Sequence, residues 1–229
     1  MTDLSILMPV YNEEATLERA IQRVIDAELP VPEIELIVVD DGSTDGSRSL
    51  LSQREWPAAV RILRHERNLG KGAAIRTGAA EARGEYTAIL DADLEYDPND
   101  LTLLLEPLLT GTAEAVFGSR AFASHTAYGF WYVVGNKVVT MVANVLYNSW
   151  ISDLMTCLKA MRTEQLRSLR LREAGFAIEP EITARLLRSG VRIHEVPITY
   201  AARSREEGKK LHASDALRVL VTLLRCRID

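Results

Sequence analysis

The stretch Ala88-Ile89-Leu90-Asp91-Ala92-Asp93-Leu94-Glu95 sets three carboxylates two residues apart, directly after a short apolar run. In extended backbone alternate side chains share a face, so Asp91, Asp93 and Glu95 are expected to converge at the end of a buried strand. Carboxylate oxygens suit a hard divalent cation, and Mg²⁺ usually sits between one or two carboxylates and substrate phosphates. The spacing therefore points to Mg²⁺ or Mn²⁺ on these three residues. A solvated acidic turn before Pro98 has the same spelling, and the place of the stretch in the chain favours the metal.

That place follows from the order of elements. Leu4 to Val10 reads as a first strand, with Asn12 as a helix cap and helical spacing from Glu14 to Ala27. Glu33 to Val39 is a second strand ending in Asp40-Asp41-Gly42-Ser43, and Thr44 or Asp45 can cap a helix to about Arg54. Val60 to Leu63 is a third strand, followed by the turn Asn68-Leu69-Gly70-Lys71-Gly72 and a small-residue helix from Ala73 to Ala82. Tyr86 to Leu90 is a fourth strand, Pro98 opens a helix to about Leu109, and Ala115 to Gly118 is a fifth strand. Strand alternating with helix at this spacing predicts an α/β fold, a mostly parallel sheet with helices on both faces. In such sheets ligands bind beyond the carboxyl ends of the strands. Pro9-Tyr11-Asn12-Glu13, Asp40-Asp41 and Asp91-Asp93 all lie at such ends, and three polar clusters on one sheet edge mark a site.

After residue 120 the rhythm changes. A long amphipathic segment covers Tyr128 to Ile151, then come a strand at Cys157 to Arg162, a helix at Ile178 to Ser189, a strand at Val191 to Val196 and an apolar helix at Asp215 to Leu224. The chain has 229 residues, 47% hydrophobic and 26% charged, which is globular composition with no repeat or linker. A net charge of −5 gives no general basic footprint for nucleic acid, although the stretch from Arg203 onward is locally basic. Cys157 and Cys226 are too few for a disulfide framework, so a reducing compartment is expected. The N-terminus reads as a first strand and not as a signal peptide. No segment offers the roughly 20 uninterrupted apolar residues of a membrane span.

LSILMPVYNEE, IELIVVDDGSTDGS, the N-x-G-x-G turn, AILDADLEYDP and VFGSR occur in this order. Together they resemble the inverting, GT-A-fold glycosyltransferases of family 2. SDLMTCLKAMR, FAIEPEITARLLRSGVRIHEVPITY and RSREEGKKL extend the resemblance to the branch of dolichyl-phosphate mannose synthases and bacterial polyprenyl-phosphate relatives. The resemblance implies a single GT-A (Rossmann-like) domain over 1–229, with a nucleotide-sugar-binding half at 1–120. The acceptor-side half, 121–229, would carry the basic loop and a C-terminal amphipathic helix. Asp41 would contact the nucleobase, and Pro9, Tyr11 and Glu13 the base and ribose. Lys71 joins this donor-binding set. Asp91 and Asp93 would face metal and phosphate, with Glu95 where some relatives place a third ligand. Arg120 matches a basic residue near the sugar or acceptor phosphate. Arg203, Arg205, Lys209 and Lys210 lie where the mannose synthases keep a basic loop over the phosphates, although RSREEGKKL differs from their usual form.

The implied chemistry is sugar transfer from a UDP- or GDP-sugar to a polyprenyl phosphate. A divalent ion would neutralise the leaving diphosphate and fixed basic charge would stabilise the transition state. A sugar hydroxyl acceptor needs a general base, whereas a lipid phosphate is already anionic. Asp153 stands where other family 2 enzymes keep that base, and base, orienting residue and neither remain open for it. Transfer to a saccharide hydroxyl in envelope glycan synthesis is the alternative reaction. A non-catalytic nucleotide-sugar-binding subunit is a third reading, which the intact acidic set opposes. A dinucleotide oxidoreductase is excluded, because the first strand leads into PVYNEE and not a Gly-rich phosphate turn. The segments around Trp131 and Leu217–Leu224 could lie in the headgroup plane of a membrane or pack as core helices. The expected location is cytoplasmic, peripheral on the inner face of the cytoplasmic membrane, directly or through a membrane-protein partner.

Overall fold

The computed structural model describes residues 2–120, 130–202 and 213–228. Strands β1 (Leu4–Val10), β2 (Ile34–Asp40), β3 (Val60–Arg64) and β4 (Tyr86–Ile89) are parallel neighbours, and the mainly apolar, buried β1, β2 and β4 suit strands covered on both faces. Beyond β4 the sheet continues through β6 (Lys159–Arg162), which runs antiparallel to both β4 and β5 (Ala115–Ser119). β7 (Ile193–Pro197) lies parallel to β5 at the edge. The seven strands stand in the order β3-β2-β1-β4-β6-β5-β7.

Alternation along the strands builds two cores. Leu4, Ile6, Met8 and Val10 face α1 (Leu17–Ile25) and α4 (Leu101–Leu109), whose Leu101, Leu104, Leu105 and Leu108 make one buried stripe. Leu7, Ile37, Val39, Ile89 and Phe117 face the other way. They meet α3 (Lys71–Glu81), α6 (Thr163–Ser168) and α7 (Ile178–Arg188). Each fully buried side chain of this size contributes about 1.5–3 kcal/mol. A third cluster joins α7 to α5 (Phe130–Tyr147) and α8 (Ala213–Ile228). The short α2 (Ser47–Gln53) packs Leu51 on the first core.

Helix α3 comes unusually near the sheet. A Cβ added at Gly78 would lie 3.1 Å from Leu7 Cδ2 and 3.5 Å from Val39 Cγ2. Its small residues thus set the depth at which its first residue, Lys71, reaches the sheet edge.

Three expectations are corrected. β4 ends at Ile89, and Asp91 to Glu95 form a turn in which Leu94 has φ +62, so the alternate-face argument for the three carboxylates does not apply. Asn12 does not cap α1. It sits at φ +53 and exchanges hydrogen bonds with Thr44, accepting from its backbone N at 2.8 Å. The helix α6 follows β6 without a break signal and was not anticipated.

Candidate active site

The register brings the polar junctions to one edge. Val10 pairs with Asp40 and Leu7 with Ile89, so the chain leaves β1, β2 and β4 on the same side of the sheet. With neighbouring strands about 4.8 Å apart, Asp41 and Asp91 lie on the order of 10 Å from each other across β1. Pro9, Tyr11 and Glu13 run along this edge, half-buried, with Glu13 N donating to Ser47 Oγ at 3.0 Å.

Asp41 is buried and its carboxylate is busy. Leu69 N donates to Oδ1 at 2.9 Å, Gly70 N donates to Oδ2 at 2.7 Å, and His65 Nδ1 lies 2.6 Å from Oδ1. His65 Nε2 is in turn 2.9 Å from Thr77 Oγ1. Instead of standing open to a nucleobase, Asp41 here gathers the turn that opens α3. The next residue of that turn, Lys71, reaches Asp91 Oδ2 at 2.7 Å. The 69–71 strap therefore couples two acidic junctions that are 50 residues apart in sequence. Gly70 makes this possible at φ +97, where an added Cβ would sit 2.4 Å from the Ala174 carbonyl oxygen.

Lys71 Nζ also lies 3.0 Å from Glu179 Oε1 and 2.9 Å from Cys157 Sγ. Burial disfavours its charge, but Asp91, Cys157 and Glu179 outweigh that and hold the ammonium pKa well above its ordinary value. Burial likewise pushes Asp91 up, and the Lys71 charge beside it wins, leaving the carboxyl below its usual range. The Cys157 thiol, buried next to the Asp91 carboxylate, is raised.

Asp91 Oδ1 is buried and has no hydrogen-bond partner. A desolvated anionic oxygen of this kind is costly unless something positive completes it. Asp93 follows two residues on, its Oδ1 accepting from Glu95 N at 3.1 Å. The unpartnered Asp91 oxygen fits a divalent cation, which Asp91 and Asp93 would hold together with substrate phosphate, the usual manner for Mg²⁺. The three-carboxylate set is not assembled. Glu95 accepts the Tyr200 hydroxyl, and among the described residues no three His, Cys, Asp or Glu side chains converge on one point. The cause is the bridge between Tyr96 and Tyr200, which turns Glu95 toward the chain leaving β7. Burial and the Glu95 carboxylate both raise the Tyr200 phenol.

On the other side of the mouth, Arg120 directly follows β5. Its Nε and Nη2 donate to Asp153 Oδ2 and Oδ1 at 2.6 and 2.8 Å, and its guanidinium stacks 5.0 Å from the Tyr200 ring centroid. Asn136 Nδ2 adds a bond to Asp153 Oδ1 at 2.9 Å. Burial alone would raise the Asp153 pKa, but Arg120 and these bonds keep it below the ordinary carboxylate value. Asp153 is therefore an orienting partner of Arg120 in this structure, and both its oxygens are engaged. Glu195 of β7 holds the turn before it, accepting Ser152 N at 2.8 Å and Ser152 Oγ at 2.8 Å. Arg203, Lys209 and Lys210 lie outside the described residues.

The model of the family described as glycosyl transferase family 2 matches residues 5–170, which span every junction named above up to Asp153. The chain belongs to glycosyl transferase family 2. It is 30% identical over 210 residues to the dolichol-phosphate mannosyltransferase of Pyrococcus furiosus, covering 90% of this chain and 58% of that protein. It is 31% identical over 232 residues to the dodecaprenyl-phosphate galacturonate synthase of Rhizobium johnstonii, covering 97% and 65%. The chain thus spans about three fifths of the length of these relatives. Among solved structures, glucosyl-3-phosphoglycerate synthase from Mycobacterium tuberculosis, in complex with Mn²⁺, UDP and glucosyl-3-phosphoglycerate, superposes with a TM-score of 0.74. At 23% identity, over 98% of this chain and 80% of that one, it shows the GT-A fold.

Sequence reasoning missed His65, Glu179, Lys159, Tyr200 and Glu195. His65 had one usable signal, its place just past a parallel strand. The others are brought to the site by contacts between distant segments.

Proposed function

We propose that this domain transfers a sugar, with inversion, from a UDP- or GDP-sugar to a polyprenyl phosphate at the cytoplasmic face of a membrane. The observation that carries the choice of acceptor is the state of Asp153. A hydroxyl acceptor needs a carboxylate or imidazole able to take its proton. Asp153 is clamped in two-point contact by Arg120 and is held below its ordinary pKa, so it is a poor proton acceptor. A phosphate acceptor needs no base, and relatives named for dolichol phosphate and dodecaprenyl phosphate support it.

In this reading the strap from Leu69 to Lys71 fixes the donor side, and Asp91 and Asp93 would hold a divalent cation that acts as a Lewis acid on the leaving diphosphate. Tyr200 and Asp153 fix the plane of Arg120, and a planar fork is suited to orienting a phosphate. Arg203, Lys209 and Lys210 supply further positive charge from the sequence that follows. The exposed apolar residues of α5 and α8 rest on the anionic lipid surface that presents the acceptor; no helix among the described residues is long and apolar enough to cross a membrane.

The test is a calorimetric screen of UDP- and GDP-sugars with Mn²⁺. The bound donor is then incubated with a short-chain polyprenyl phosphate or with a saccharide acceptor. The expected product is the lipid-linked sugar with inverted anomeric configuration by NMR. Transfer to the saccharide alone, or no donor binding at all, overturns the proposal.

A further inference from the structure

Behind Asp91 runs a buried chain of charge. Lys71 Nζ, 2.7 Å from Asp91 Oδ2, is 3.0 Å from Glu179 Oε1, and the second oxygen of Glu179 pairs with Lys159 Nζ. Lys159 is fully buried, donates to the Thr156 carbonyl, and lies 4.9 Å from the Phe117 ring centroid. Four elements supply the four groups. Asp91 follows β4, Lys71 opens α3, Glu179 sits in the first turn of α7, and Lys159 lies in β6 opposite Ile89. Anion, cation, anion and cation alternate, so the four formal charges sum to zero and the loss of any single one leaves the cluster charged.

The fold gives no reason for this arrangement. Apolar replacements of a buried ion pair are often neutral or stabilising, because the desolvation of the charges is so costly. What the chain does accomplish is electrostatic. Glu179 gives Lys71 a second anion, so the ammonium is shared between two carboxylates and does not neutralise Asp91 alone. Lys159 takes up part of the Glu179 charge and limits that sharing.

We propose that Glu179 and Lys159 are positioning residues of opposite sign that act through Lys71 to set the negative charge Asp91 offers to a divalent cation. The inference rests on the reading that Asp91 and Asp93 hold such a cation. It predicts that two substitutions in one buried cluster move metal affinity in opposite directions. Glu179→Gln leaves the cluster at +1 and weakens Mn²⁺ binding. Lys159→Met leaves it at −1 and tightens it. A merely structural role for these residues would damage the site in the same direction both times.

The measurement is the free Mn²⁺ signal by electron paramagnetic resonance, with Mn²⁺ alone and with UDP or GDP, alongside thermal unfolding of each protein. A unit charge acting on a divalent cation over about 10 Å at an effective dielectric near 40, between the protein-surface and bulk-water values, gives about a fifteenfold rise in Kd for Glu179→Gln. Lys159, one partner further away at about 13 Å, gives a fall of about eightfold. The double variant Glu179→Gln/Lys159→Met restores neutrality and is expected within about twofold of wild type. If Glu179→Gln alone does not fold, Lys159→Met and the double variant still decide. Weaker or unchanged binding in Lys159→Met, with wild type binding normally, overturns this inference and leaves the proposed function standing. Absence of Mn²⁺ binding by the wild type overturns both.

Discussion

Two carboxylates at one mouth, Asp153 buried and Asp91 partly so, are held by cations in different ways. Asp153 meets a guanidinium fork and an amide, which engage both its oxygens. Asp91 meets an ammonium point charge on Oδ2, and its Oδ1 has no hydrogen-bond partner. The first is committed at both oxygens and the second at one, and the difference lies in Arg against Lys. Asp153→Asn is expected to cost up to about 3–5 kcal/mol at neutral pH, since it removes the carboxylate that meets the Arg120 guanidinium in two-point contact at a largely buried place. The sign with pH follows from the lowered pKa of Asp153. A depressed folded value means stability fully present above the unfolded value of about 3.9 and lost as pH falls through the folded one. Urea unfolding of wild type and Asp153→Asn should therefore give a constant difference from pH 7 to about 5 that closes only below about 4. A gap that closes between pH 6 and 5 would remove Arg120 as the cause. The types of these residues were legible in the sequence, because an acid after a parallel strand and an arginine directly after a strand are local signals. The Arg120–Asp153 pairing was not, since it joins positions 33 residues apart with α5 between them. The diversion of Glu95 to Tyr200, 105 residues on, was hidden for the same reason.

At the scale of elements, the N-terminus of α3 does most to shape the site. One turn supplies the backbone donors for Asp41 and the ammonium for Asp91, and it is wedged against the segment before α7, with Ala73 N donating to Ala174 O at 3.1 Å. Gly70→Ala should strain a left-handed backbone and force its Cβ into Ala174, costing about 1–3 kcal/mol for the backbone conformation alone. The same substitution should weaken donor binding, since Lys71 can no longer be delivered to Asp91. Chemical denaturation and calorimetry on one preparation check both, and full donor affinity in a destabilised variant would sever the strap from the site. The parallel strands and the helices α1, α4 and α7 were readable from apolar runs, helical spacing and end signals, and α3 from its run of small residues. The turn at Asp91–Glu95 was not, because the residue that takes positive φ there is Leu94, which carries no turn signal. The six-residue α6 is too short to show a period.

The whole molecule is polarised. The chain carries −5, yet the sequences of α5 and α8 hold Lys137, Arg218, Arg225 and Arg227 against Asp215 alone. The same helices expose Val138, Met141 and Val145 on one and Leu217, Val221, Leu224 and Ile228 on the other, each set at helical spacing. Their inner faces are fastened, with Tyr147 hydroxyl donating to Leu223 O and Arg188 to Cys226 O, so the outer stripes are not loose core. An apolar stripe with basic residues on its helix suits the interface of an anionic bilayer. The surface is also wired to the chemistry, because α5 sends Asn136 to Asp153 and Lys137 to the Ser152 carbonyl. A lipid phosphate in that bilayer would thus arrive beside Arg120. Vesicles containing phosphatidylglycerol are expected to sediment the protein, and added salt to release part of it, since a Debye length of about 8 Å at physiological ionic strength screens exposed charge. Val145→Glu with Leu224→Glu should abolish sedimentation while leaving calorimetric donor binding intact, because neither side chain touches the mouth. Equal binding to neutral vesicles would remove the charge from the argument. A wild-type dimer in analytical ultracentrifugation that the double substitution dissolves, with no vesicle binding, would give the face to a second copy of the chain instead of to lipid.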